Sequence, residues 1–120
     1  LFSNEMSAKI YASSDIFLMP SKTEPCGLSQ LISMRYGTVP VVHRVGGLRD
    51  TVIPFTGVEG NGFTFESFQS GDMMDAIYRA VTCFYQSPGE WNQIIQNNLN
   101  KDVSWEKSAK QYLSLYHEVL

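Results

Sequence analysis

Apolar positions along the chain alternate between helical spacing and short unbroken runs. Met6, Ile10 and Tyr11 recur at helical spacing behind Ser3 or Asn4, either of which suits an N-cap. Asp15 and the serines before it break that pattern. Ile16–Met19 is a continuous apolar run stopped by Pro20, the form of a strand buried on both faces of a parallel sheet. Ser21–Gly27 reads as loop. Leu28–Tyr36 returns to helical spacing, with Leu28, Leu31 and Ile32 inward and Met34 at the edge of that face. Arg35 takes the next inward position, its stem over apolar surface and its charge reaching outward. Gly37 suits the left-handed residue that ends a helix. Val39–Val42 predicts a second buried strand, with Pro40 placed near its start because proline gives the ladder no donor.

The second half is mostly helical. Val45–Leu48 reads as a Gly-Gly turn, Arg49–Ile53 as a brief helix ended by Pro54, and Gly57–Gly62 as glycine-rich loop. Phe63–Phe65 is a third short strand. A helix opens at Asp72 and runs to Tyr85 or Gln86, with Met73, Ile77, Ala80, Val81 and Phe84 inward. Ser87 and Pro88 cap and open the next, which holds Trp91, Ile94, Ile95 and Leu99. After a turn at Asp102–Ser104, a last amphipathic helix spans Trp105–Val119, with Trp105, Ala109, Tyr112, Leu113 and Tyr116 on one side. Strands separated by helices predict βαβ units and a parallel sheet, hence an α/β fold. Three strands are few for such a sheet. Leu1 begins mid-pattern without a start methionine, so the expectation is a piece of a longer protein with earlier strands elsewhere.

Composition narrows the classes. The 120 residues carry 43% hydrophobic and 18% charged side chains, enough for a core and against disorder. A net charge of -3 and a pI near 5.2 give no general attraction to nucleic acid. Cys26 and Cys83 read as two free thiols of a reducing compartment, and a cytoplasmic location is expected. No ligand spacing for a metal is present, so none is expected. No apolar run is long enough for a membrane helix, and no membrane role is expected.

The chemistry concentrates in Pro20 to Val52, PSKTEPCGLSQLISMRYGTVPVVHRVGGLRDTV. A loop that follows a parallel strand lies at the carboxyl edge of the sheet, where open α/β folds bind ligands. Glu24 sits in that loop. Gly27, Leu28 and Ser29 then begin a helix whose first N–H groups favour an anion. Gly46-Gly47 follows the next strand and is expected to face the same crevice. A carboxylate beside such N–H groups suits a ligand with hydroxyls and a phosphate, such as a sugar nucleotide. The bland alternatives stay open at this stage: Glu24 as an ordinary loop carboxylate, and the glycines as turn formers only.

The same stretch resembles the bacterial glycogen synthase and plant starch synthase family. The resemblance is carried by Pro20, Ser21, Glu24–Leu28, Gln30, Leu31, Arg35–Thr38, Pro40–Val42, Arg44, Gly46–Leu48 and Asp50–Val52. It continues through Gly62-Phe63, Phe65, the helix from Asp72 and the ending DVSWEKSAKQYLSLYHEVL. It implies a retaining glucosyltransferase of the two-domain GT-B type. This chain would supply the C-terminal portion of the nucleotide-sugar-binding domain, a partial Rossmann-like parallel sheet with flanking helices. Residues 1–104 would belong to that domain, and 105–120 would form a helix packed back toward the N-terminal domain.

Residue roles follow from the resemblance alone. Glu24 is the expected catalytic residue, beside the donor glucose. Cys26, Gly27, Leu28 and Ser29, with Gly46 and Gly47, are the expected substrate-binding residues; those from Cys26 to Ser29 would lie along the donor diphosphate. Ser29 replaces the family's usual Thr and keeps a hydroxyl. Ile32 stands where many related transferases place a second Glu against ribose, so ribose contacts must come from elsewhere. Gln30 is a weak candidate, with a helix-surface amide as the alternative reading. His43, where the family usually has Arg, reads first as structural, with ligand contact as the alternative; Arg44 completes the candidates. His117 reads as a surface residue. A catalytic Arg and Lys, a Lys-x-Gly-Gly loop and an acceptor-side His are expected outside Leu1–Leu120, so the chain alone is expected to be inactive.

The implied donor is ADP-glucose, with UDP-glucose as the other donor allowed, and no cofactor. The implied acceptor is an α-glucan, held by the N-terminal domain. Exposed aromatics and an unpaired sheet edge admit self-association. Two alternatives remain: another nucleotide-sugar transferase, against which the missing second Glu argues, and a glucan-binding or assembly module from a degenerate synthase.

Overall fold

A computed structural model describes residues 3–25, 27–101 and 105–119. In chain order these form α1 (Asn4–Ser13), β1 (Ile16–Met19), α2 (Ser29–Arg35), β2 (Val39–His43), α3 (Gly47–Thr51), β3 (Phe63–Phe65), α4 (Ser70–Gln86), α5 (Pro88–Leu99) and α6 (Trp105–Val119). The strands make one parallel sheet in the order β1-β2-β3. The expected α/β architecture is what the chain adopts.

β2 is the centre of the sheet and all five of its residues are buried. Pro40 is tolerated because the pairing with β3 starts one residue later, at Val41 opposite Phe63. Val39 and Val41 face a core made with Phe63, Phe65, Ala76, Ala80, Trp91 and Ile94, under α4 and α5. Val42 faces the other side, against Leu48 and Val52. Pairing on both edges and cover on both faces explain why β2 is apolar at consecutive positions.

β1 differs from the expectation. Among the described residues it pairs only with β2, and Leu18 is exposed, so here it is an edge strand rather than one buried on both faces. α1 is capped by Ser3, whose Oγ accepts from the Met6 N–H at 3.2 Å. Its far end is closed by Thr38, whose hydroxyl lies 2.6 Å from the Tyr11 carbonyl and 3.0 Å from that of Ser14. Met6 and Ile10 are nevertheless exposed, because α1 meets the rest of the described residues chiefly through Tyr11, which packs on Phe17 and Tyr36.

α2 is turned from its expected orientation. Gln30, Ser33 and Met34 face inward, while Leu28 and Ile32 are exposed. Gly37, at φ +78°, ends it in the expected left-handed conformation. α4 starts two residues before Asp72, and its Val81 lies outside the buried stripe. α6 forms as expected, but Tyr112, Leu113 and Tyr116 are all exposed. The turn expected at Asp102–Ser104 lies outside the described residues.

Candidate functional site

The carboxyl ends of all three strands open on one edge of the sheet. From β1 comes the loop holding Ser21 and Glu24, from β2 come His43 to Gly47, and from β3 comes Glu66. The structure brings Glu24 and the glycine pair together more closely than the sequence indicated. The Gly47 N–H donates to the Glu24 carbonyl at 2.9 Å. Gly46 has φ +50° and ψ −133°, a conformation that side chains with a Cβ avoid. A Cβ there would stand 1.8 Å from the Glu24 carbonyl oxygen. The loops after β1 and β2 therefore meet backbone to backbone, and only glycine permits the contact. Gly47 also opens α3, where a plain turn was expected.

Glu24 is half-buried, and its Oε2 accepts from the Ser21 hydroxyl at 3.3 Å. Gly27, at φ +74°, lies against it: a Cβ on Gly27 would meet the Glu24 Cγ at 3.1 Å and the Gln30 amide at 2.7 Å. Leu28 is the N-cap of α2, and no side chain caps that end. The first N–H groups of a helix have no carbonyl partner within it, and those of α2 follow directly on the Glu24 loop. Gly27 and Ser29 are half-buried and Leu28 is exposed. Cys26 lies outside the described residues.

The weaker candidates fall elsewhere. Gln30 is fully buried rather than a surface amide: its Nε2 donates to the Gly27 carbonyl at 2.9 Å and to Thr51 Oγ1 at 3.1 Å. Thr51 in turn donates to the Gly47 carbonyl at 2.9 Å. Gln30 thus ties the two loops from beneath. His43 is buried at 4% exposure, with Nδ1 2.7 Å from the Ser21 carbonyl and Nε2 3.2 Å from that of Glu66. Arg44 pairs with Glu66 at 3.3 Å.

Sequence reading missed the polar layer under the site. Asn61, inside the segment read as glycine-rich loop, is buried. It accepts from the Ile53 N–H at 2.7 Å and donates to the Thr51 carbonyl at 3.0 Å. Asn98 donates to the Asn61 carbonyl at 2.9 Å, and Lys101 to the Thr51 carbonyl at 2.8 Å. Burial, and secondarily the charge of Lys107, pushes the Lys101 ammonium below its ordinary value. The signal was an asparagine between two glycines, Gly60 and Gly62, in a loop that has to fold back on itself.

Known proteins resemble this chain in sequence and fold. Residues 2–102 match the family described as glycosyl transferases group 1. The glycogen synthase of Bacillus licheniformis is 56% identical over 117 residues, covering 96% of this chain and 24% of the relative. That of Clostridium acetobutylicum is 49% identical over 121 residues, covering 99% of this chain and 25% of the relative. Among solved structures, the catalytic domain of starch synthase IV from Arabidopsis thaliana, bound to ADP and acarbose, superposes with a TM-score of 0.86. It is 36% identical, over 98% of this chain and 25% of that one. Sucrose-phosphate synthase from Thermosynechococcus elongatus gives a TM-score of 0.73 at 26% identity, over 98% of this chain and 28% of its own. The chain spans about a quarter of the length of these curated relatives.

Proposed function

The chain belongs to the group 1 glycosyl transferases, homologous to the catalytic domain of glycogen and starch synthases, and from that premise we propose that it is part of a glucosyltransferase that moves glucose from ADP-glucose to the non-reducing end of an α-1,4-glucan with retention. Its α/β fold corresponds to the C-terminal Rossmann-like part of a GT-B enzyme. The carrying observation is the backbone seal between Glu24 and Gly46-Gly47. It fixes a carboxylate at the carboxyl edge of the sheet, next to the N–H groups of Gly27, Leu28 and Ser29.

The chemistry follows from that placement. Glu24 lies beside the donor glucose, where a carboxylate orients ring hydroxyls and stabilises positive charge developing on the sugar. Negative charge builds on the leaving diphosphate as its bond to glucose breaks. Fixed N–H dipoles aimed there stabilise that change more than they stabilise the bound donor. Gly46 and Gly47 keep the Glu24 backbone from moving as charge develops. The basic groups that complete the phosphate site, and the acceptor glucan site, belong to the longer enzyme. The exposed stripe of α6 packs on its N-terminal domain.

The test is glucose transfer to glycogen by the full-length enzyme, supplied separately with ADP-glucose and UDP-glucose, beside a Glu24→Ala variant. Transfer from ADP-glucose that collapses in the variant is the expected result. Preference for UDP-glucose would change the donor and keep the transferase. A folded full-length protein that transfers from neither donor, yet binds glucan, would replace the reading with a glucan-binding module.

A further inference from the structure

His43 closes β2 at the carboxyl edge of the sheet, with its ring 5.3 Å from Phe65 in a stacked pair and 5.6 Å from Phe68 in a tilted one. Both of its nitrogens meet backbone carbonyls, Nδ1 at Ser21 and Nε2 at Glu66. A carbonyl oxygen only accepts, so each contact requires an N–H on the nitrogen that makes it. The contact to Ser21 is the shorter, at 2.7 Å against 3.2 Å, and takes the proton on Nδ1, so the approach of Nε2 to the Glu66 carbonyl is then not a second hydrogen bond. Ser21 is also the residue whose hydroxyl donates to Glu24 Oε2 at 3.3 Å. A path of two hydrogen bonds thus runs from a buried ring at a strand end to the carboxylate.

The loop needs such a hold. Lys22, Thr23 and Pro25 are exposed. Gly47 grips it at the Glu24 carbonyl, three residues after the point where His43 grips it at Ser21. Between two such points the carboxylate keeps one position. With only one of them, the loop pivots about Glu24 and carries its side chain with it.

We propose that His43 is a positioning residue for Glu24: its Nδ1–H holds the Ser21 carbonyl, and through Ser21 it sets where the Glu24 carboxylate stands. This rests on the reading of Glu24 as the carboxylate beside the donor sugar. His43 itself is buried, with both ring nitrogens against backbone carbonyls.

Two amide replacements separate the ring's two contacts. The amide nitrogen of Asn falls near the place of Nδ1, and that of Gln near the place of Nε2. In the full-length glucosyltransferase, His43→Gln is expected to lower kcat by about tenfold or more while donor KM moves by less than about threefold, since small misplacements of a catalytic group act mainly on the chemical step. His43→Asn is expected to recover most of that loss. A parallel fall in both variants, following their melting temperatures, would reduce His43 to packing and overturn the proposal. Backbone NMR of the 120-residue chain gives a reading free of transfer activity. His43→Gln should move the amide resonances of Ser21 to Glu24, and His43→Asn should leave them near the wild type. Resonances unmoved by His43→Gln would overturn the proposal even in an active enzyme. A wild-type protein that transfers no glucose would instead sink the reading of the site, leaving the NMR result to decide whether His43 holds the loop.

Discussion

The carbonyl oxygen of Glu24 occupies the space that a side chain on Gly46 would need, so the two residues fix each other. Gly46→Ala would drive a Cβ to 1.8 Å from that oxygen and keep an L-residue at φ +50°. Holding an L-residue at this sparsely populated φ and ψ alone costs about 1–3 kcal/mol. The overlap must be relieved by moving one backbone, because neither atom belongs to a flexible side chain. Urea unfolding of Gly46→Ala is expected to show a loss above about 2 kcal/mol. Gly71→Ala provides the contrast. It lies within α4, and its Cβ would meet nothing within 4 Å. That change is expected to stabilise by up to about 1 kcal/mol.

How much of this was legible in the sequence depends on which force set each feature. The three strands could be read because burial makes β2 apolar at consecutive positions, and the longer helices because their apolar stripes repeat. α2 was read in the wrong orientation because Ile32 and the N-cap Leu28 are exposed, whereas its buried face carries the polar Gln30 and Ser33 beside Met34. Hydrophobic periodicity has no term for a buried amide satisfied by a loop carbonyl and a threonine 21 residues away. Glu24, Gly27 and the Gly46-Gly47 pair were legible as one cluster from strand-loop logic. Their contact at backbone level was not, since nothing local to either loop records the approach of the other. The same holds for His43, whose partners Ser21 and Glu66 come from the ends of the two neighbouring strands.

Asn61 carries more stability than a loop position suggests. Its side chain satisfies the Ile53 N–H and the Thr51 carbonyl, and the Asn98 amide closes on its backbone. Asn61→Ala leaves the part-buried Ile53 N–H without its partner and weakens the support beneath Gly47. A destabilisation of roughly 2–3 kcal/mol is expected, read as a fall in the urea midpoint with an unchanged slope. Asn97→Ala, at a half-buried position of α5, removes side-chain bonds to the Val58 and Gly60 carbonyls, the first of them exposed so that water can replace it. It is expected to cost less than about 1 kcal/mol.

Alkaline pH should reveal Cys83. Burial, and secondarily the Glu90 carboxylate, holds its thiol above the ordinary value of 9.0. The unfolded chain gives up this proton first, so the contribution of Cys83 to stability is full below 9.0 and is lost as pH rises through the folded value. Lys101 carries the opposite sign. Its folded value lies below the ordinary 10.5, so stability gained from its deprotonation grows as pH approaches 10.5. Compared by urea unfolding at pH about 8 and about 9.5, Cys83→Ala is expected to lose less stability than the wild type over that interval. Cys26 is unchanged in both proteins and drops out of the difference. An equal loss in the two proteins would show that the Cys83 thiol does not titrate differently on folding.

α6 is expected to be dispensable for the stability of the remainder of the chain. Tyr112, Leu113, Leu115, Tyr116 and Val119 are each more than half exposed, and among the described side chains of the helix none joins either core cluster. Its apolar stripe is therefore a surface whose burial free energy is unused within the chain. Truncation after Lys101 keeps the Lys101–Thr51 contact while removing that stripe. The truncated protein is expected to melt within about 2 °C of the full chain, because a helix whose described apolar side chains are mostly exposed contributes little tertiary stability. Sedimentation should separate the two more clearly: the full chain is expected to self-associate with rising concentration through the stripe, and the truncated one to stay monomeric. In the full-length enzyme the same truncation is expected to be costly, on the proposal that the N-terminal domain covers the stripe there. A large fall in the melting temperature of the isolated chain would mean that α6 packs against α1 to α5 in solution, and would withdraw the assignment of its apolar face to a neighbouring domain.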